Sequence, residues 1–190
     1  DVSIHSLKDL PTKINNKLCL ALVLEREDPR DAIFSVVKKK IPDLKPKNVI
    51  GTSSIRRAVQ IKRISPNITL KQIRENIDIR ITKTIKGEYD AIILAKAGLV
   101  SLSLENRISE TFECKRIVPP AGQGTIVLQS REEDDRVNRI ISKINHIETS
   151  IETKIERKIL TALEGDCNTA AGIYANVRGK NVNIIAELFS

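Results

Sequence analysis

EREDPRDA, Glu25 to Ala32, breaks the chain between two aliphatic stretches with charges of both signs set around Pro29. Before it, LCLALVL, Leu18 to Leu24, is short and rich in aliphatics and reads as a buried strand. After it, Ile33 to Val37 is a second strand candidate. A polar break of this kind is either an ordinary charged loop or a crossover of the chain between domains. A second crossover is predicted at Ile117-Val118-Pro119-Pro120, which leads into AGQGTIVLQ. There Gly122 and Gly124 permit backbone angles closed to other residues and hold Gln123 in a fixed turn before a strand at Thr125 to Gln129. Two crossovers make the segment between them one inserted domain, after which the chain returns to the first.

Upstream of the first crossover, DVSIHSLKDLP, Asp1 to Pro11, alternates as a strand with Val2 and Ile4 as its apolar residues. Pro11 has no amide hydrogen and biases Leu10 to extended angles, so the strand stops with Ser6, Lys8 and Asp9 at its tip. Ligands of open α/β sheets bind at such tips, although solvated charges at a strand end account for the same residues.

Within the inserted segment, Val49-Ile50 leads to GTSSIRR, Gly51 to Arg57. Thr52, Ser53 and Ser54 are helix N-cap types, and Ile55, Ala58, Val59 and Ile61 supply helical spacing. The amides and positive end of such a helix favour an anion, and Arg56 and Arg57 add cationic forks. Ile68 to Ile73 alternates as a strand and delivers Arg74. Ile77, Ile81 and Ile85 form one helical face, with Arg80 off that face and Gly87 as the C-cap. Ala91 to Leu94 is a strand followed by the small residues Ala95, Ala97 and Gly98, which allow either a ligand or another element to approach closely.

After the second crossover, Val137, Ile140, Ile141 and Ile144 predict one amphipathic helix, and Ile151, Ile155, Ile159 and Leu163 another. The charges opposite the latter, Glu148, Glu152, Glu156, Lys154, Arg157 and Lys158, read as a solvated face. His5 and His146 are read as structural, since neither neighbours a nucleophile. Gly165 then ends the helix and exposes Cys167 on a loop, and a hairpin follows around Arg178 to Asn181.

A chain of 190 residues, 41% hydrophobic, buries a real core. No apolar run approaches the ~20 residues of a bilayer span, so no membrane association is expected. The net charge of +8 points to an anionic partner or substrate. Nucleic acid is not expected, because aromatics make up only 3%, tryptophan is absent and no binding motif is visible. The three cysteines, Cys19, Cys114 and Cys167, form no CxxC pair and are odd in number, which indicates neither a metal site nor a disulfide framework. A reducing compartment fits them.

Taken together, HSLKDLP, EREDPRDA, GTSSIRR, the Arg74 to Arg80 stretch RENIDIR and LEGDCNTAAG resemble, in order, the motifs of the porphobilinogen deaminase (hydroxymethylbilane synthase) family. The resemblance implies an α/β fold of two periplasmic-binding-protein-like (type II) domains, with mixed sheets flanked by helices, plus a small C-terminal α/β domain. It divides the chain into 1–24 with 120–145, then 25–119, then 146–190, with the front of the first domain and the end of the third expected outside this sequence. The implied activity is that of a transferase: four porphobilinogen molecules join head to tail with release of ammonia on a covalent dipyrromethane primer, giving hydroxymethylbilane for haem and other tetrapyrroles. Asp9 becomes the catalytic carboxylate and Cys167 the thioether attachment point of the dipyrromethane cofactor. Cofactor contacts fall to Ser6, Lys8, Thr52, Ser53, Ser54, Arg56, Arg57, Arg74 and Gln123, and substrate contacts to Ser54, Arg57, Arg74 and Arg80. No metal, a monomer and a cytoplasmic location are expected. The alternative is a non-catalytic module of the same fold that binds a small anion. Four departures stand out: Glu75, Asp78 and Asp166 occupy positions where the family has glycine, and no proline follows Cys167.

Overall fold

The computed structural model describes residues 1–166 and 169–189. In chain order its elements begin with β1 (Ser3–Ser6), β2 (Leu18–Val23), β3 (Asp31–Phe34), β4 (Val49–Gly51), α1 (Ile55–Ile64), β5 (Thr69–Lys71), α2 (Ile77–Ile85), β6 (Ala91–Ala95) and α3 (Lys96–Ser101). They continue with β7 (Ile108–Thr111), β8 (Ile126–Arg131), α4 (Asp135–Ile141), α5 (Ile147–Ala162), β9 (Ala171–Arg178) and β10 (Asn181–Leu188). The chain divides into two compact units, Asp1–Pro29 with Val118–Leu188, and Arg30–Ile117 with the last residues.

The second unit is built on a five-stranded sheet of order β5-β4-β6-β3-β7. β4 runs parallel to β5 and β6, whereas β3 is antiparallel to both β6 and β7. One reversed strand set second from the edge of a parallel sheet is the type II periplasmic-binding arrangement, and the fold is mixed α/β. Successive residues of β3 and β6 serve opposite faces. Ile33, Ala91 and Ile93 join Ile61 of α1 in one core, while Ala32, Phe34, Ile92 and Leu94 join Ile81 of α2 and Leu99 of α3 in the other. A strand covered on both faces reads as an unbroken apolar run, which is why DAIF and AIILA show little alternation.

The first unit holds the three-stranded antiparallel sheet β1-β8-β2, the same arrangement of strands as β6-β3-β7. Leu7, Val23 and Val127 form its core. The β9-β10 hairpin packs against α5 around Ala121, Ala171 and Ile173, with Ile159 and Leu160 at the edge. Gly172 is required there, since a Cβ would lie 2.8 Å from the Val118 carbonyl oxygen.

Several expectations are corrected. The inward face of α5 is polar: Thr149, Glu152, Thr153 and Glu156 are buried, whereas Ile151 and Leu163 are exposed. The reason is what α5 meets, because β9 offers the amides of Val177 and Ala175 to Glu152 and Glu156, and Arg26 brings a cation. The predicted helix through Ile144 ends as α4 at Ile141 and tightens into a 3₁₀ turn, leaving Ile140 and Ile144 exposed. Val2, just before β1, and Ile4 within it are both exposed. β3 starts at Asp31 and ends at Phe34, with Val36 and Val37 in a turn closed by Lys38 at φ 51°. β7 was not anticipated from the sequence. Among the described residues no helix is long and apolar enough to cross a membrane.

Candidate functional site

In the second unit, the backbone of Gly51 at the end of β4 is pressed against β6 and the loop after β5. A Cβ would stand 2.8 Å from Ile92 Cγ2 and 2.9 Å from the Tyr89 ring. The next three hydroxyls each accept a backbone amide: Thr52 Oγ1 from Ser54 N (3.3 Å), Ser53 Oγ from Ile73 N (2.9 Å) and Ser54 Oγ from Arg57 N (3.4 Å). Ser54 is thereby the N-cap of α1. A hydroxyl that accepts one bond still has its own proton to donate, so this turn presents O–H donors at the positive end of a helix.

Arg56 and Arg57, read from the sequence as forks toward a ligand, are 4% and 8% exposed and converge on Asp31, which is wholly buried. Arg56 Nη2 donates to Oδ2 at 2.7 Å, while Arg57 Nη2 and Nε donate to Oδ1 at 2.7 and 3.1 Å. Burial pushes the Asp31 carboxyl up, but the charges and hydrogen bonds of the two arginines override it and hold the group below the usual carboxylate range. Asp31 belongs to EREDPRDA, and nothing in that stretch distinguishes it from the other charges.

The loop between β5 and α2, which carries Arg74 and Glu75, is tied to this turn by the Ser53 contact, and Arg80 follows on α2. Arg74 is exposed. Arg80 Nε donates to the Glu75 carbonyl at 2.5 Å, and Lys83 Nζ donates to Glu75 Oε1 at 2.6 Å. Burial, with the charge of Arg57, lowers the Arg80 guanidinium from its ordinary value, and Glu75 opposes them. Asp78 lies exposed in the first turn of α2, where a helix end favours a carboxylate. Gly98 accounts for part of the small-residue run as packing, since a Cβ would meet Ile77 Cδ1 of α2 at 2.8 Å.

In the first unit, Ser6 ends β1 and Leu7–Asp9 form a 3₁₀ turn. Leu7 anchors it: its amide donates to Thr125 O at 2.9 Å, and its side chain lies against Gly122, where φ is 75° and a Cβ would clash at 2.8 Å. Asp9 is exposed, with Ser6 and Lys8 half-buried. Arg157, expected on a solvated face, donates instead to the carbonyls of Leu10, Pro11 and Thr12. Thr12 Oγ1 in turn donates to Gly165 O at 3.2 Å, which ties the Asp9 segment to the residues that precede the cysteine loop. Cys167 itself lies outside the described residues. Gln123 is wholly buried, and its amide donates to Pro29 O at 2.7 Å while its backbone carbonyl accepts from Arg26 Nε. It braces the Glu25–Pro29 segment.

Among solved structures, a Bacillus subtilis lipoprotein described as methionine-binding is 15% identical with a TM-score of 0.48, covering 75% of this chain and 66% of that one. A Salmonella typhimurium periplasmic binding protein with high arginine specificity is 13% identical with a TM-score of 0.40, covering 64% and 57%. An ancestral arginine-binding protein bound to arginine is 15% identical with a TM-score of 0.40, covering 75% and 64%. The chain thus spans less than two thirds of the length of each. By sequence, the family described as porphobilinogen deaminase, dipyromethane cofactor binding domain, matches residues 1–139 and so includes both the Asp9 segment and the Thr52 to Arg80 region. The chain belongs to the porphobilinogen deaminase family, whose place is in tetrapyrrole biosynthesis.

Proposed function

We propose that the full protein joins four porphobilinogen molecules head to tail, with loss of ammonia, on a dipyrromethane primer held as a thioether by Cys167, and releases hydroxymethylbilane. The observation that carries this reading is the family match across residues 1–139. The residues present suit the group. A dipyrromethane and its extensions bear acetate and propionate carboxylates. Thr52, Ser53 and Ser54 offer O–H donors at the start of α1, and Arg74 and Arg80 offer planar forks, each charge-assisted bond contributing about 1.5–3 kcal/mol. Asp31 holds Arg56 and Arg57 in place before a ligand arrives, so their positive field is preorganised rather than assembled on binding.

The dipyrromethane, when bound, supplies the pyrrole carbon on which the chain grows. Ser6 and Lys8 are assigned to its carboxylates. Asp9 is assigned to face the reacting pyrrole nitrogens, where a fixed carboxylate stabilises positive charge that is complete only during reaction. Gln123 keeps an indirect role, bracing the crossover segment. The helix α5 with β9 and β10 is proposed as part of a third domain that carries the cysteine loop. A monomeric state and a cytoplasmic location are proposed with the function, on the resemblance alone.

The test is the intact mass of the full-length protein. A covalent excess equal to a dipyrromethane is expected in wild type and is expected to vanish in Cys167→Ser, because a hydroxyl is a far poorer nucleophile than a thiolate. A wild-type chain without covalent pyrrole overturns the reading and favours a non-catalytic anion-binding module.

A further inference from the structure

Glu75 is a carboxylate set among cations. Its Oε1 accepts from Lys83 Nζ at 2.6 Å, its backbone carbonyl accepts from Arg80 Nε, and its charge acts on the Arg80 guanidinium. The other oxygen, Oε2, is shut off from solvent and has no hydrogen-bond partner among the described residues. The loop that carries it is fixed beside the hydroxyl turn by the bond from Ile73 N to Ser53 Oγ.

A carboxylate oxygen buried without a donor is costly, so this position is poorly explained as a device for stability. The Glu75–Lys83 pair is also about one third exposed on each side, and ion pairs of that kind contribute little and break readily. Asp31 differs: it is wholly buried and held by two arginines, and cannot be displaced without uncovering both charges.

We propose that Glu75 is a resident counter-ion of the anion site formed by Arg80 and Lys83: it neutralises the two cations while the site is free and gives way when a ligand carboxylate enters. This deepens the carboxylate-binding function proposed above and rests on it. Two carboxylates cannot share the same cations without repulsion, so binding must turn Glu75 aside, and the flexible stem of Lys83 lets its ammonium follow either partner. Glu75 then sets the selectivity of the site, admitting ligands with several carboxylates over those with one, since only the former bring enough charge to displace it.

The test is equilibrium binding of porphobilinogen, a dicarboxylate, by full-length protein in a Cys167→Ser background, where no chain can grow, at low and high salt. Glu75→Gln, and Glu75→Gly as a second variant, are expected to bind about 10-fold tighter, the order of one nearby charge after solvent screening. Their affinity is also expected to fall more steeply with salt. Lys83→Ala, which leaves Glu75 with Arg80 alone and removes one cation from the site, is expected to bind several-fold more weakly. Unchanged or weaker binding by both Glu75 variants, with wild-type binding intact, overturns the inference and leaves the function standing. No porphobilinogen binding by any form, wild type included, overturns both.

Discussion

Glu156 Oε1 accepts from Arg26 Nη1 at 2.7 Å, with the two side chains 0% and 7% exposed. The same carboxylate accepts from Ala175 N (2.8 Å) and Gly122 N (2.7 Å), so one acidic group joins the crossover segment, the Gly122 turn and β9. Removing Arg26 takes the cation from two buried carboxylates, and removing Glu156 leaves Arg26 with only the more distant Glu152 at 3.8 Å and strips the Ala175 and Gly122 amides of their acceptor. Arg26→Ala and Glu156→Ala are each expected to lower stability by about 3–5 kcal/mol. Denaturant midpoints unchanged in both variants would show that the pair contributes nothing.

Asp31 makes the second unit sensitive to acid. Its folded-state carboxyl titrates below the ordinary value of 3.8, so its contribution is complete above that pH and is lost progressively as pH falls through and below it. Asp31→Asn is expected to cost about 3–5 kcal/mol near neutral pH, by leaving Arg56 and Arg57 without their anion. The gap between variant and wild type should then narrow below about pH 4, the unfolded value of an aspartate. Urea unfolding across that range measures both, and a gap independent of pH contradicts the assignment.

Gly51 and Gly98 both lack room for a Cβ, but their neighbours differ. At Gly51 the obstacles are Ile92 Cγ2, the Tyr89 ring and Ile73 Cγ2, all in the core, whereas at Gly98 the obstacle is the far end of the Ile77 side chain. Gly51→Ala should therefore cost about 1–3 kcal/mol, and Gly98→Ala clearly less. Equal shifts in thermal midpoint would contradict the packing argument.

Asp9 is exposed at the end of a turn whose anchor is Leu7, so its replacement is expected to leave the fold intact. In the full-length protein, Asp9→Asn keeps the shape of the side chain and removes its charge. It is expected to retain the covalent pyrrole adduct while losing ~10² or more in turnover, the magnitude typical of one preorganised electrostatic group. Turnover within a few-fold of wild type, measured as bilane formation at saturating porphobilinogen, would move the catalytic role elsewhere.

The sequence by itself determined the parts of this protein whose signal is local. Strand runs such as LCLALV and AIILA, the Ser54 cap followed by helical spacing, and the glycine at φ 82° after α2 each depend on neighbours a few residues away, so periodicity and cap chemistry reveal them. HSLKDLP, GTSSIRR and RENIDIR lie at a strand tip or a helix start for the same reason.

Tertiary structure alone decided where the charges go. Asp31, Arg26, Glu152, Glu156 and Arg157 look like solvated residues in a chain that is 29% charged, because burial of a charge depends on a partner far away in sequence. Asp31 meets its arginines 25 and 26 residues on, and Arg26 meets Glu156 130 residues on. The isoleucine stripe of α5 predicted the opposite inward face for the same reason: helical spacing marks apolar residues, and only the backbone donors of β9 make a glutamate the better fit for the interior.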